Sequence, residues 1–280
     1  MVSKHEFVQV FSSATIGHSG PPTNPGYPTD RALNDPFELR PVVRGLKDIA
    51  STTQLLSDQY DRADLPEEFQ RFAHQLNLAV PELKDGLKAN VVAGAIGIFN
   101  QFSPSMVELV LESSGTKLGI LSLSETPSSP VMWAHYAADH SGFLIVFDER
   151  SPWFCAKKGD LDEFRHIRKV TYLEMSRPGY LADVGAQELF YSKLSEWKYE
   201  REWRIIRPLA ESSSRLGDIY LFDVPADSIK GVVLGFRAND ALATALRSAV
   251  RDNPSSLRHI SVGQAVLSKN SNSIEINPAS

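Results

Sequence analysis

Two glutamates, Glu200 and Glu202, stand two residues apart in the stretch Lys193-Leu-Ser-Glu-Trp197-Lys-Tyr-Glu200-Arg-Glu202-Trp203-Arg204-Ile-Ile206. The stretch reads as a helix tail running straight into a short strand. Period-two geometry then sets Glu200, Glu202, Arg204 and Ile206 on one face and Arg201, Trp203 and Ile205 on the other. Same-face neighbours in a strand lie roughly 6.5 to 7 Å apart between Cα atoms. Two carboxylates at that separation can serve one sugar ring. One stabilises a developing oxocarbenium ion while the other positions or deprotonates the nucleophile. The plainer alternative is an exposed strand edge whose glutamates pair with Lys198, Arg201 or Arg204. Such surface pairs contribute only about 0 to 1 kcal/mol, so stability alone gives little reason to group the charges here.

Trp133, Tyr136 and His140 follow at helical spacing, i, i+3 and i+7. As a plain helix face they are core residues with polar handles, His140 lying near a helix C-terminus. As a site they place Tyr136 and His140 at the rim of a cleft, stacking on or hydrogen-bonding to a nucleotide. Lys193, one turn before Trp197, is expected to stack its stem along that ring. His135, Asp139 and His140 do not converge on one ion from a helix, so no metal is expected. No glycine-rich phosphate loop and no G-x-S-x-G elbow occurs, which removes the dinucleotide-fold, P-loop and serine-hydrolase readings.

The elements that must position these residues begin after a loop-like segment. Residues 1–31 are expected as loop or disorder, because Ser, Thr, Gly and Pro crowd positions 12 to 31. Asn34-Asp-Pro-Phe-Glu38 is a turn cluster. From there one α+β domain, residues 32–280, is expected: a helical section at about 45–114 packed on a mixed or antiparallel sheet core at about 116–280. Asp64 and Glu67 have the spacing of a capping box, with Phe69, Phe72, Ala73 and Leu76 on one stripe behind them. Pro81 and Pro104 mark breaks. Ser129 with Pro130 opens a helix running to His140. The apolar run Phe143–Phe147 predicts a strand buried on both faces. Further strands are expected at 117–124, 169–173, 201–207, 219–224, 231–235, 260–266 and 273–276, with a helix at 239–252.

The 280 residues carry a net charge of −5, which argues against an overall basic nucleic-acid binder. Cys155 is the only cysteine, so no intramolecular disulfide and no Cys-rich zinc site is possible. The N-terminus lacks a signal-peptide layout and the longest apolar run is too short to span a bilayer, so a cytoplasmic protein without membrane partners is expected.

Four blocks of this chain resemble a bacterial family, the domain of unknown function numbered twenty-nine seventy-one. They are Leu33-Asn-Asp-Pro-Phe-Glu38; Leu121-Ser-Leu-Ser-Glu125 with Met132-Trp-Ala-His-Tyr136-Ala-Ala-Asp-His140-Ser-Gly-Phe143; Lys193-x-x-x-Trp197-x-x-Glu200-x-Glu202-Trp-Arg204; and Val232-Val-Leu-Gly235. That family's name implies no activity. Glu200-Arg-Glu202-Trp-Arg-Ile-Ile206 is also similar to the E-x-E loop of mono-ADP-ribosyltransferases, which leads into an apolar strand. That resemblance implies an ADP-ribosyltransferase-like sheet core and NAD as substrate. It further implies Glu202 as the catalytic glutamate, Glu200 as the group that orients the acceptor, and Tyr136, His140, Lys193 and Arg204 as holders of NAD. The acceptor would be a protein or nucleic acid, and the biological setting a toxin or phage-defence effector. The alternatives from the residues themselves are a nucleotide or glycosidic-bond hydrolase, NAD hydrolysis included, and a non-catalytic binding or regulatory module.

Overall fold

Outside the helical stretch 49–115, runs rich in β-branched and aromatic residues, broken by Gly, Pro and Ser, extend into strands. The computed structural model describes residues 6–11, 26–28, 43–160, 162, 164–174, 179–216, 219–252 and 257–278. Its strands are β1 (Glu6–Phe11), β2 (Gly26–Pro28), β3 (Leu118–Ser124), β4 (Phe143–Asp148), β5 (Arg168–Lys169), β6 (Thr171–Leu173), β7 (Ser192–Leu194), β8 (Glu202–Pro208), β9 (Ser214–Leu216), β10 (Ile219–Leu221), β11 (Ile229–Leu234), β12 (Ser261–Leu267) and β13 (Ile274–Asn277). Its helices are α1 (Ile49–Arg62), α2 (Glu67–Gln75), α3 (Val80–Gly115), α4 (Pro130–Tyr136), α5 (Ala186–Tyr191) and α6 (Asp240–Asp252). The fold class is α+β, with a helical region, α1 to α3, between β2 and β3 in the chain.

The contacts gather into two compact units. One holds residues 1–39, 114–176 and 186–280; the other holds 40–113 and 177–185. The first is built on an eight-stranded sheet of order β13-β12-β11-β4-β1-β3-β8-β5. Its strand pairs are antiparallel except β11 with β12, and α6 supplies the crossover that a parallel pair requires. β4 is covered on both faces, as its continuous apolar run predicts. Phe143, Ile145 and Phe147 pack with Leu121, Leu123, Ile205 and the α6 residues Leu242 and Leu246. Leu144 turns the other way, to Trp133 and Ala137.

The N-terminal segment departs from the loop reading at its described residues. β1 runs antiparallel between β4 and β3, from Glu6↔Asp148 to Phe11↔Phe143, and β2 pairs with β10. Glu6-Phe-Val-Gln-Val-Phe11 carries four residues of high β propensity, a signal overshadowed by the Ser, Gly and Pro density that follows it. Asn34-Asp-Pro-Phe-Glu38 lies outside the described residues. The strand expected over 169–173 is divided between two sheets. β5 pairs with β8, whereas β6 pairs in parallel with β7.

In the second unit, Asp48 caps α1 by accepting from the Ser51 amide at 2.8 Å. The Asp64–Glu67 capping box does not form. Pro66 is the N-cap of α2 and makes no side-chain cap bond. Ala73 is buried, but Phe69, Phe72 and Leu76 of the same stripe are exposed. Neither Pro81 nor Pro104 ends a helix. Pro81 sits in the first turn of α3, where amides have no intrahelical partner, and Pro104 lies within its interior.

Candidate functional site

Glu202 and Arg204 share a face of β8, as period two requires, and their side chains lock together. Arg204 donates from Nε to Glu202 Oε1 at 2.7 Å and from a terminal nitrogen to Oε2 at 2.9 Å. This is the bidentate fork that a guanidinium makes with a carboxylate. The same guanidinium also donates to the Phe190 carbonyl at the end of α5, at 2.8 Å. The edge-strand alternative named Arg204 correctly as a partner, but the pair is buried: Glu202 is 3% exposed and Arg204 is 0%.

Glu200 reaches the cluster by a different route. It ends a 3-10 turn, Ser195–Glu200, rather than belonging to β8, and Arg201 behind it takes a left-handed conformation with φ 46°. That residue swings the chain into the strand while both glutamates keep facing Lys193. Lys193 Nζ donates to Glu200 Oε2 at 2.7 Å and to Glu202 Oε2 at 3.3 Å. It also lies 4.8 Å from the centre of the Trp197 ring, so the expected contact with Trp197 forms alongside the two ion pairs. Tyr136, from the last turn of α4, donates its phenol to Glu200 Oε1. Two carboxylates and two cations thus balance in one buried cluster, the condition under which such charges are tolerated.

Several members escaped the sequence reading. Tyr172 sits opposite Lys193 in the β6–β7 pair, and its hydroxyl accepts from the Glu202 amide at 2.8 Å. Ser124 donates to the Glu200 carbonyl at 2.6 Å, and Ser122 bonds the Glu202 side chain. The alternation Leu121-Ser-Leu-Ser124 was a usable signal, because the β3–β8 register sets Ser122 against Arg204 and Ser124 against Glu202. Around the half-buried Tyr136 lies an aromatic group. His135 contacts the Tyr136 and Tyr199 rings edge-on and shares a 3.1 Å hydrogen bond with the Tyr199 hydroxyl, and Tyr199 tilts against Trp197.

His140 does not join them. α4 ends at Tyr136, and Ala138, Asp139 and His140 all take positive φ (46°, 51° and 66°), which breaks the helical face expected to carry it. Its ring packs on Phe236 with centroids 4.7 Å apart, its nearest carboxylate is Asp139, and its carbonyl accepts from the Arg237 amide at 3.1 Å. Burial lowers its pKa below the ordinary histidine value, with the Asp139 charge opposing.

The electrostatics follow from enclosure. Burial pushes the Glu202 carboxyl up to about 7, with the Lys193 charge opposing and the Glu200 charge assisting. Burial alone would depress Lys193, but the Glu202 and Glu200 charges outweigh it and hold the ammonium well above its ordinary value. Burial, with the two glutamate charges, also raises the Tyr172 phenol to about 12. Lys193 is therefore a fixed cation, and the proton that moves near neutrality belongs to Glu202.

No curated protein and no solved structure matches the chain. A family model described as "Protein of unknown function (DUF2971)" matches residues 132–205. That span opens at Met132 in α4, closes at Ile205 in β8, and contains Tyr136, Tyr172, Lys193, Glu200, Glu202 and Arg204. This segment is what the chain shares with the DUF2971 family.

Proposed function

We propose that the protein acts on the glycosidic bond of a nucleotide, with NAD as the first candidate substrate, and that Glu200 rather than Glu202 is the carboxylate presented to the ribose. The observation that carries this reading is the Tyr136–Glu200–Lys193 contact beside the His135, Tyr199 and Trp197 rings. Flat aromatic surfaces suit a nucleobase or nicotinamide ring, and a carboxylate near them suits a sugar becoming cationic. Both glutamates are buried and have both oxygens engaged. Glu202, however, is held in the Arg204 fork, whereas Glu200 Oε1 takes a neutral phenol from half-buried Tyr136, which a substrate would displace. Glu202 then acts by positioning Lys193 and, through it, Glu200. A transferred ADP-ribose would require a protein or nucleic-acid acceptor; without one, water completes a hydrolysis.

The test is nicotinamide release from NAD by the purified chain. Wild type should release it and Glu200→Gln should not, with Glu200→Gln still folded by circular dichroism at the assay temperature, since Lys193 keeps Glu202 as a partner. Absence of release by wild type, or equal release by Glu200→Gln, removes the reading.

One observation favours a second reading, a non-catalytic binding or regulatory module: the cluster is charge-balanced and both Glu202 oxygens are occupied. In that case nucleotides leave the melting temperature unchanged, while Glu202→Ala unfolds the chain without any activity having been lost.

A further inference from the structure

We propose that α3 is a self-association helix that pairs antiparallel with α3 of a second copy of this chain. From Ala89 to Val107 this helix carries no charged residue. Val92, Ser103 and Val107 are buried, whereas Val91, Ile98, Phe102, Met106 and Leu109 stand 44 to 62% exposed. At 100° per residue those five fall within one arc of the helix, beside the buried one. The helix is therefore apolar over about half its circumference but covered over only part of that.

Length explains why its own unit leaves the second arc open. α3 has 36 residues, roughly 54 Å, against 14 in α1 and 9 in α2. At about 150 to 200 Å² per large side chain, the exposed stripe offers roughly 500 Å². Two copies then bury about 1,000 Å², the threshold for a specific interface.

A separate observation concerns Gly94 and Gly97. A Cβ at either would meet nothing within 4 Å, so packing within the chain gives no reason for glycine in mid-helix. Each costs about 1 kcal/mol against alanine there. At Gly94, about 40° from Ile98 around the helix, close approach of another backbone supplies the reason; Gly97 faces away from the stripe and is not explained by it. An antiparallel two-fold axis at Ile98 sets Phe102 of each helix at the level of Gly94 in the other.

A membrane surface would call for Lys or Arg flanking the stripe. The last turn of α3 has no basic residue, and Lys88 is already paired with Asp61 at 2.7 Å. The uncharged stripe instead presents nothing that a second copy would repel.

Sedimentation equilibrium of the full chain tests the pairing. Wild type should be a dimer, and Ile98→Glu or Phe102→Glu should raise the dissociation constant at least about tenfold with unchanged far-ultraviolet circular dichroism. Ile98→Cys in a Cys155→Ser background should form a disulfide-linked dimer on mild oxidation, since a residue on the axis faces itself; the native Cys155 is exposed and must be removed. A monomeric wild type throughout the micromolar range, or a dimer indifferent to both glutamates, overturns the proposal. So does a monomer that co-sediments with phosphatidylcholine–phosphatidylserine vesicles, which would give the face to lipid.

Discussion

Glu202 has no solvent to share its charge with, so whatever replaces it must answer to Arg204. Removing one partner of a buried pair strands the other, at about 3 to 5 kcal/mol. Glu202→Ala and Arg204→Ala should each lose stability on that scale in urea unfolding, and the double variant should lose less than the sum because neither charge is then stranded. Additive losses would mean that the fork contributes nothing. The same carboxyl also predicts a pH dependence. Its folded pKa, about 7, lies above its ordinary 4.5, so the folded state holds a proton that the unfolded chain has released. The contribution is full below pH 4.5 and is lost as pH rises through 7, on the order of 3 kcal/mol in all. Glu211 behaves oppositely. Its hydrogen bond from Arg165, first among its causes, holds it down at about 2, so its stabilisation is lost as pH falls from 4.5 towards 2. The windows do not overlap, and Glu202→Gln should flatten the melting profile between pH 4.5 and 7 only. A slope that persists in that variant assigns the titration to another group.

Glu202 with Arg204 was readable in the sequence because β8 obeys period two over every residue that matters, and the Ser129–Pro130 start of α4 was readable because capping is local. What was not readable depends on turns and on pairing between distant segments. Glu200 joins the cluster through a 3-10 turn and a left-handed Arg201, not through strand alternation. Tyr172 arrives through parallel pairing with a strand about twenty residues away, which no local pattern encodes. His140 was misplaced because three consecutive left-handed residues follow α4, and Asp139-His140-Ser-Gly142 resembles an ordinary helix end until its dihedrals are known. That left-handed turn has a steric partner in Gly235. A Cβ there would lie 2.0 Å from the His140 carbonyl oxygen, a backbone atom with nowhere to move, while the Gly235 amide donates to Gly142 at 2.8 Å. Gly235→Ala should therefore cost at least the about 1 to 3 kcal/mol typical of overpacking, measured by urea denaturation. A change within about 0.5 kcal/mol, the range of an ordinary surface substitution, would show that the turn yields easily and does not fix the end of α4.

Order along the chain and order across the sheet disagree most at β1. The first described strand is neither an edge nor an extension; it separates β4 from β3 in the middle of the eight-stranded sheet. Its ladder to β4 covers all six residues, and Val8 also faces Ser124 of β3, whose neighbour β8 carries Glu202 and Arg204. The two halves of the sheet meet through this strand, so strands from residue 118 onward cannot close the sheet without the chain's first residues. Closing over that sequence distance is entropically slow but adds little to the equilibrium cost, because the penalty grows only logarithmically with loop length. Proline makes the argument measurable, since it removes a ladder donor and is tolerated only where a strand has a free side. Val8→Pro strikes a strand paired on both sides and should destabilise by about 3 kcal/mol or more. Glu275→Pro strikes β13, an edge strand paired only with β12, and should cost clearly less. Urea midpoints for the two variants decide the matter. If Val8→Pro unfolds with the wild type, or costs no more than Glu275→Pro, β1 is dispensable and the glutamate cluster does not depend on the N-terminal strand for its place in the sheet.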